Sequence, residues 1–179
     1  IGSITAARLI QAGHKITIVD DLSQGHERFI PTNASFYKLK VHETKELSQI
    51  LLRHNINSIM HFAAHLDVAE SMSFPLKYYE NNFNGTISLL KAIPNGQVKN
   101  IIFSSTAAVY KDPGMSLVNE ESPTFPLSPY GNSKLMSERL IHQMADLECI
   151  SYIRTTREKT PVLYTNKDTF TIGGSKTIK

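Results

Sequence analysis

The sequence predicts an α/β fold, a doubly wound parallel sheet, on three observations. Short β-branched or apolar runs alternate with longer segments of helical periodicity from the first residue to about residue 153. Two of those runs, 58–64 and 100–105, are apolar on consecutive residues, as strands covered on both faces are. The segments between runs are long enough for the helical crossovers that parallel neighbours require.

The elements follow in order. Ile4, Ala7, Leu9 and Ile10 share one helical face, and Gly13 stands where a left-handed residue ends a helix. Residues 15–20 read as a strand, β-branched at Ile16, Thr17, Ile18 and Val19, closed by the carboxylates Asp20 and Asp21. A polar loop with Gly25 and Pro31 leads to a second strand at 35–39, and Leu47, Ile50 and Leu51 set a helix over 43–54. The run 58–64 is a third strand, a long helix covers 76–93, and 100–105 is a fourth strand. A helix over 129–147, with Ser128 as N-cap and Pro129 in its first turn, precedes a short run at 150–153.

Composition narrows the function. The chain of 179 residues suits one domain with a real core. Its single cysteine, Cys149, excludes a disulfide framework and a Cys-rich zinc site, so a reducing, cytoplasmic setting is expected. His42, His61 and His65 do not stand at metal-ligand spacing, and no metal is expected. No apolar stretch approaches the ~20 residues of a membrane span. Lys and Arg number 19 against 16 Asp and Glu, a net charge of +3. Residues 154–179 hold six basic and two acidic residues, +4, which leaves −1 for residues 1–153. That stretch also carries seven Thr, so a domain over 1–153 and a basic, Thr-rich, poorly ordered tail over 154–179 are expected. A basic face with interleaved aromatics is absent, which argues against nucleic acid as a partner.

Two places carry chemistry. A dinucleotide site sets its pyrophosphate against free backbone N–H groups where a Gly-rich turn opens a helix. Gly2 is placed as the last glycine of such a turn, and Asp20, eighteen residues on at a strand end, suits a ribose hydroxyl. The strand expected ahead of Ile1 and the first glycines of the turn are not in the sequence. Alone, the pair reads as readily as a helix-start glycine and a turn-forming aspartate. The second place begins with Ser104-Ser105-Thr106, hydroxyls at the carboxyl end of a buried strand. Tyr130 and Lys134 then stand four apart on one face in the first turns of a capped helix. A free phenol ionises near ~10, and a neighbouring ammonium favours the phenolate. Such a tyrosine can remove a hydroxyl proton as hydride leaves for a nicotinamide cofactor, with Thr106 holding or relaying at the same oxygen.

Residues 1 to about 153 also carry a series of motifs in order. They include Ile1-Gly2-Ser3, Val19-Asp20-Asp21-Leu22, His61-Phe62-Ala63-Ala64, Glu70-Ser71 and the stretch 75–82. Phe103-Ser104-Ser105-Thr106-Ala107-Ala108-Val109-Tyr110 and Ser128-Pro129-Tyr130-Gly131-Asn132-Ser133-Lys134-Leu135-Met136 complete it. In these the chain resembles the extended short-chain dehydrogenase/reductase superfamily, and within it the NAD-dependent epimerase/dehydratase family, most closely its UDP-hexose epimerases. The resemblance implies a Rossmann-like NAD-binding domain over 1–153, lacking its first strand and a C-terminal substrate domain. It implies interconversion of UDP-glucose and UDP-galactose by transient oxidation at C4, with NAD held through the turnover. Tyr130 is then the base, Lys134 orients the nicotinamide ribose and favours the phenolate, and Thr106 fills the family's Ser/Thr position. Asp20 binds the adenosine ribose, Asp21 and Asn82 lie along the cofactor, and Phe62, Ala63 and Ala64 form a wall beside it. Ser104 and Ser105 are secondary candidates, as readily strand-end caps. A homodimer through 76–93 and 129–147 is implied as well.

The related 4,6-dehydratases need an Asp-Glu pair where this chain has Ala107-Ala108, which favours epimerisation. Two departures stand out. Lys40 occupies the position of an acidic adenine contact, and from Arg154 the sequence leaves the family pattern. An inactive remnant with at most partial nucleotide binding is the alternative of another class.

Overall fold

The computed structural model describes residues 1–111, 118–119 and 121–145. The chain begins with α1 (Gly2–Gln11), β1 (Thr17–Asp20), β2 (Ser35–Lys38), α2 (Thr44–Arg53) and β3 (Ser58–His61). A short α3 (Val68–Ser73) precedes a helical run made of α4 (Pro75–Tyr78), a π-helical turn (Tyr79–Asn84) and α5 (Gly85–Ala92). β4 (Asn100–Phe103), a 3-10 turn (Ala107–Val109) and α6 (Pro129–Ala145) follow.

The strands pair in parallel, as their long connections require. β1 lies on β2 from Thr17 opposite Ser35 to Asp20 opposite Lys38, and β3 on β4 from Ser58 opposite Asn100 to His61 opposite Phe103. Among the described residues these are two two-stranded sheets, with no ladder between β1 and β3. A helical layer bridges them. Leu47 and Leu51 of α2 and Leu89 and Ala92 of α5 form a buried cluster that takes in Val19 of β1 and Ile59 of β3. A second cluster joins Leu90 of α5, Ile101 and Phe103 of β4 and Ile141 of α6.

Local chemistry sets the ends. α1 stops at Gly13, in the left-handed region at φ 88°, with its N–H on the Ile10 carbonyl and that of His14 on the Leu9 carbonyl. Asn55 ends α2 in the same way at φ 47°. Three findings differ from expectation. Each strand has four residues, so 62–64 and 104–105 leave the ladder although they are apolar or small. Helix α3 was not expected; Asp67 caps it by accepting the Glu70 amide at 2.8 Å.

The helix expected over 76–93 contains the π turn. A straight α-helix would wind residues four apart by about 40° each time. Tyr78, Asn82 and Thr86, four apart along this run, are all at most 2% exposed. The run at 150–153, Cys149, Glu120 and the tail 154–179 lie outside the described residues. No helix of the described residues is long and apolar enough to cross a membrane.

Candidate active site

α6 begins where the sequence indicates. Ser128 accepts the Gly131 amide on its hydroxyl at 3.1 Å, and its carbonyl accepts the Asn132 amide at 2.9 Å. Tyr130 and Lys134 sit on one buried face, 7% and 3% exposed. The first turn of the helix is pressed onto the strand-end loop: a Cβ on Gly131 would collide with the Ala108 carbonyl oxygen. That loop is the 3-10 turn Thr106 caps, its hydroxyl oxygen accepting the Ala108 amide at 3.2 Å. Capping uses one lone pair of Thr106, so its O–H remains a donor for a bound oxygen. The tyrosine ring meets Tyr78 edge-on, with centroids 6.4 Å apart. The Tyr78 hydroxyl donates to Glu70 at 2.7 Å; burial and then that carboxylate push its ionisation well above the ordinary phenol range.

Lys134 sits over Phe103, its ammonium 4.4 Å from the ring centroid. Burial lowers its pKa to about 8, while the Glu138 carboxylate one turn on pulls the other way. Beneath it, His61 is buried, 5% exposed. Burial first, and the Lys134 charge second, hold the imidazole neutral with a pKa near 3. Ser105 is also buried, and its hydroxyl has no hydrogen-bond partner among the described residues. An orphaned buried hydroxyl at a strand end is what a ligand group would satisfy.

The residues expected on the cofactor gather at the carboxyl ends of β1 and β3. Asp20 and Asp21 accept forward amides from Leu22 and Ser23 at 2.8 and 2.9 Å, with Leu22 left-handed at φ 59°. Asp20 is exposed and open to a ligand hydroxyl. Burial raises the Asp21 carboxyl, but Ser23 and the charges of Lys40 and His65 together hold it below the usual range. Gly2 lies against the Phe62 ring, 3.5 Å from where a Cβ would stand, so α1 starts beside the end of β3. Ala63 is exposed and Ala64 half-buried. The Ser104 amide donates to the His61 carbonyl, which carries the β3–β4 contact one residue beyond the ladder.

Asn82 is placed differently from a residue lying along a cofactor. It is 2% exposed, and its amide is fully engaged. Its oxygen accepts the His65 amide at 2.8 Å and the Asn81 side chain at 3.0 Å. Its nitrogen donates to the His65 carbonyl and to the Ser133 hydroxyl. Asn82 thus ties the loop after β3 to α6, linking the two ends of the site. Sequence reasoning missed this tie and the buried polar residues His61, Thr86, Ser133 and Ser137. The one available signal was Ser133 and Ser137 standing four apart. An open groove of about 460 Å³ runs past Asn132, Leu135 and Arg139 of α6, and neither Tyr130 nor Lys134 lines it.

Known proteins share this sequence pattern and fold. The chain is 42% identical over 142 residues to UDP-glucose 4-epimerase of Lacticaseibacillus casei, covering 79% of this chain and 43% of that protein. It is 38% identical over 152 residues to UDP-glucose 4-epimerase of Lactobacillus helveticus, covering 85% and 46%. The crystal structure of UDP-glucose 4-epimerase from Brucella ovis in complex with NAD superposes with a TM-score of 0.80 at 32% identity, over 87% of this chain and 47% of that one. The chain thus spans less than half the length of the relatives it matches, and the fold is that of their Rossmann-like α/β part. The model of the NAD dependent epimerase/dehydratase family matches residues 1–156, and to that family the chain belongs.

Proposed function

We propose that this chain carries the proton-transfer and cofactor-binding half of an NAD-dependent UDP-hexose 4-epimerase that interconverts UDP-glucose and UDP-galactose. The observation that carries the reading is the buried Tyr130–Lys134 face of α6, pressed by Gly131 against the turn that Thr106 caps. Tyr130 takes the proton from the C4 hydroxyl and later returns it, while Thr106 donates a hydrogen bond to the same oxygen. Lys134 stands one turn on from Tyr130 on the same buried face.

The residues fit the cofactor. Asp20 is exposed to a ribose hydroxyl, the Lys134 ammonium is a donor, and the buried Ser105 hydroxyl is without a partner among the described residues. When bound, NAD supplies the acceptance and return of hydride at C4. The Phe62 ring lies against Gly2 at the start of α1. Ala107 and Ala108 offer no acid to expel water, which supports epimerisation over 4,6-dehydration.

The test is interconversion of UDP-galactose and UDP-glucose by the full chain with NAD, beside its Tyr130→Phe variant. Turnover in the parent and a loss of at least about a hundredfold in the variant are expected. Equal turnover in both would refute the role of Tyr130. A dimer pairing the 76–93 and 129–147 helices, and a cytoplasmic setting, belong to the same reading. The two helical runs pack side by side, and sedimentation at twice the chain mass would support the dimer.

A further inference from the structure

Where α5 and the π turn meet α6, an apolar seam would be ordinary, yet four polar side chains are sealed inside. Thr86, Ser133 and Ser137 are 0% exposed and Asn82 is 2% exposed. Their bonds form a chain. His61 Nε2, at the end of β3, lies 3.3 Å from the Thr86 hydroxyl oxygen. Thr86 Oγ1 lies 2.8 Å from the Asn82 carbonyl and 3.2 Å from the Ser137 hydroxyl. The Ser137 hydroxyl donates to the Ser133 carbonyl at 3.0 Å, and the Ser133 hydroxyl to the Tyr130 carbonyl at 2.8 Å. Thr86 has one proton to give among these contacts, so where it goes to Asn82 or Ser137 the imidazole is the donor, protonated at Nε2.

We propose that His61, Thr86 and Ser137 are positioning residues for the proton transfer: their chain locks the rotation and register of α6 on the end of β3, and so places Tyr130 relative to Thr106. The role in turnover rests on the epimerase reading; the lock itself does not. His61 pairs with Phe103 in the β3–β4 ladder, and Thr106 follows Phe103 by three residues, so the chain joins α6 to the strand edge that carries the other half of the site. Apolar contacts are non-directional and tolerate sliding. A buried hydroxyl left unpaired costs about 1–3 kcal/mol, so a rotated α6 would forfeit several bonds at once. Apolar replacement of both partners can leave stability nearly unchanged. A shift of about 1 Å between reacting groups can cost as much as a hundredfold in rate.

The experiment uses the full chain with Thr86→Val/Ser137→Ala, Ser137→Ala alone should the double variant not fold, and Thr86→Ser to restore the hydroxyl. Two readouts are taken: kcat and KM with UDP-galactose, and amide hydrogen exchange at Tyr130 and Lys134. The double variant is expected to lose about tenfold in kcat with KM within about twofold. It should exchange faster at those amides without global unfolding, and Thr86→Ser should recover both. Unchanged kcat in a folded variant of an active parent would overturn the positioning role and leave the epimerase reading standing. An inactive parent whose variant still exchanges faster would support the lock while sinking the epimerase reading. Unchanged exchange would overturn the lock.

Discussion

Replacing Lys134 by methionine should stabilise the fold while removing turnover. The ammonium is 3% exposed, and burial holds its pKa near 8, against 10.5 in an open chain. That drop corresponds to ~3 kcal/mol by which the folded state disfavours the charge at neutral pH. The Phe103 ring 4.4 Å away returns part of this, up to about 2 kcal/mol for a desolvated cation. Methionine has similar length and fills the same space without charge. A net gain of about 1–3 kcal/mol is expected, read as a rise of about 2–4 °C in Tm per kcal/mol.

The sign can be checked independently. Below pH 8 the lysine is protonated in both states and its penalty is complete. Between pH 8 and 10.5 the unfolded chain binds more protons, so the stability of the parent rises with pH, and the methionine variant should lack that rise. Denaturant melts of both proteins at pH 7, 8.5 and 10 decide it, with epimerase assays alongside. A methionine variant less stable than the parent at pH 7, or parallel pH profiles, would show that the buried ammonium carries no such cost.

Gly131→Ala should lower both stability and kcat, because its Cβ meets the Ala108 carbonyl and must push α6 off the Thr106 turn. Overpacking of this kind costs about 1–3 kcal/mol, and a variant with unchanged Tm and kcat would show the approach to be looser than described. Burial lowers His61 from 6.5 to about 3, so the unfolded chain takes up its proton first and stability falls as pH drops from 6.5 toward 3. His61→Gln keeps a donor for Thr86 but does not titrate; its stability should fall less between pH 6.5 and 4.5, measured by thermal melts. Ile141→Ala should cost about 2–5 kcal/mol by opening a cavity beside Leu90 and Phe103, with kcat of the folded fraction close to that of the parent.

The elements the sequence made legible are those in which one residue type has one physical use. Ile16 to Val19 read as a strand because β-branched side chains fit a pleat. Ser128 and Pro129 marked the start of α6 because a free amide N–H needs an acceptor and proline has no N–H to satisfy. The lengths misled where composition and backbone part company: Phe62 and Ala63 continue the apolar run after β3, yet their backbone leaves the ladder to form the site. α3 was illegible because six residues are too few for periodicity, and only the Asp67–Glu70 spacing marks it. Thr86, Ser133 and Ser137 were illegible for another reason. By hydropathy they belong on a wet surface, and only the helix they face shows that they satisfy one another.

The two sets of contacts on α6 therefore do different work. Ile141 with Phe103, and Leu135 with Val109 and Tyr110, draw the helix onto the sheet and its strand-end turn, and supply most of the energy of docking. Those contacts fix depth and leave rotation soft, because a leucine or isoleucine a few degrees round still touches the same neighbours. Rotation is what Tyr130 and Lys134 cannot spare, since each degree of twist swings a phenol at the end of a long arm. The hydroxyl chain on the flank of that same helix is directional, sealed from water and nearly neutral in stability. Damage to the apolar anchors should therefore appear first in melting curves, and damage to the polar seam first in kcat.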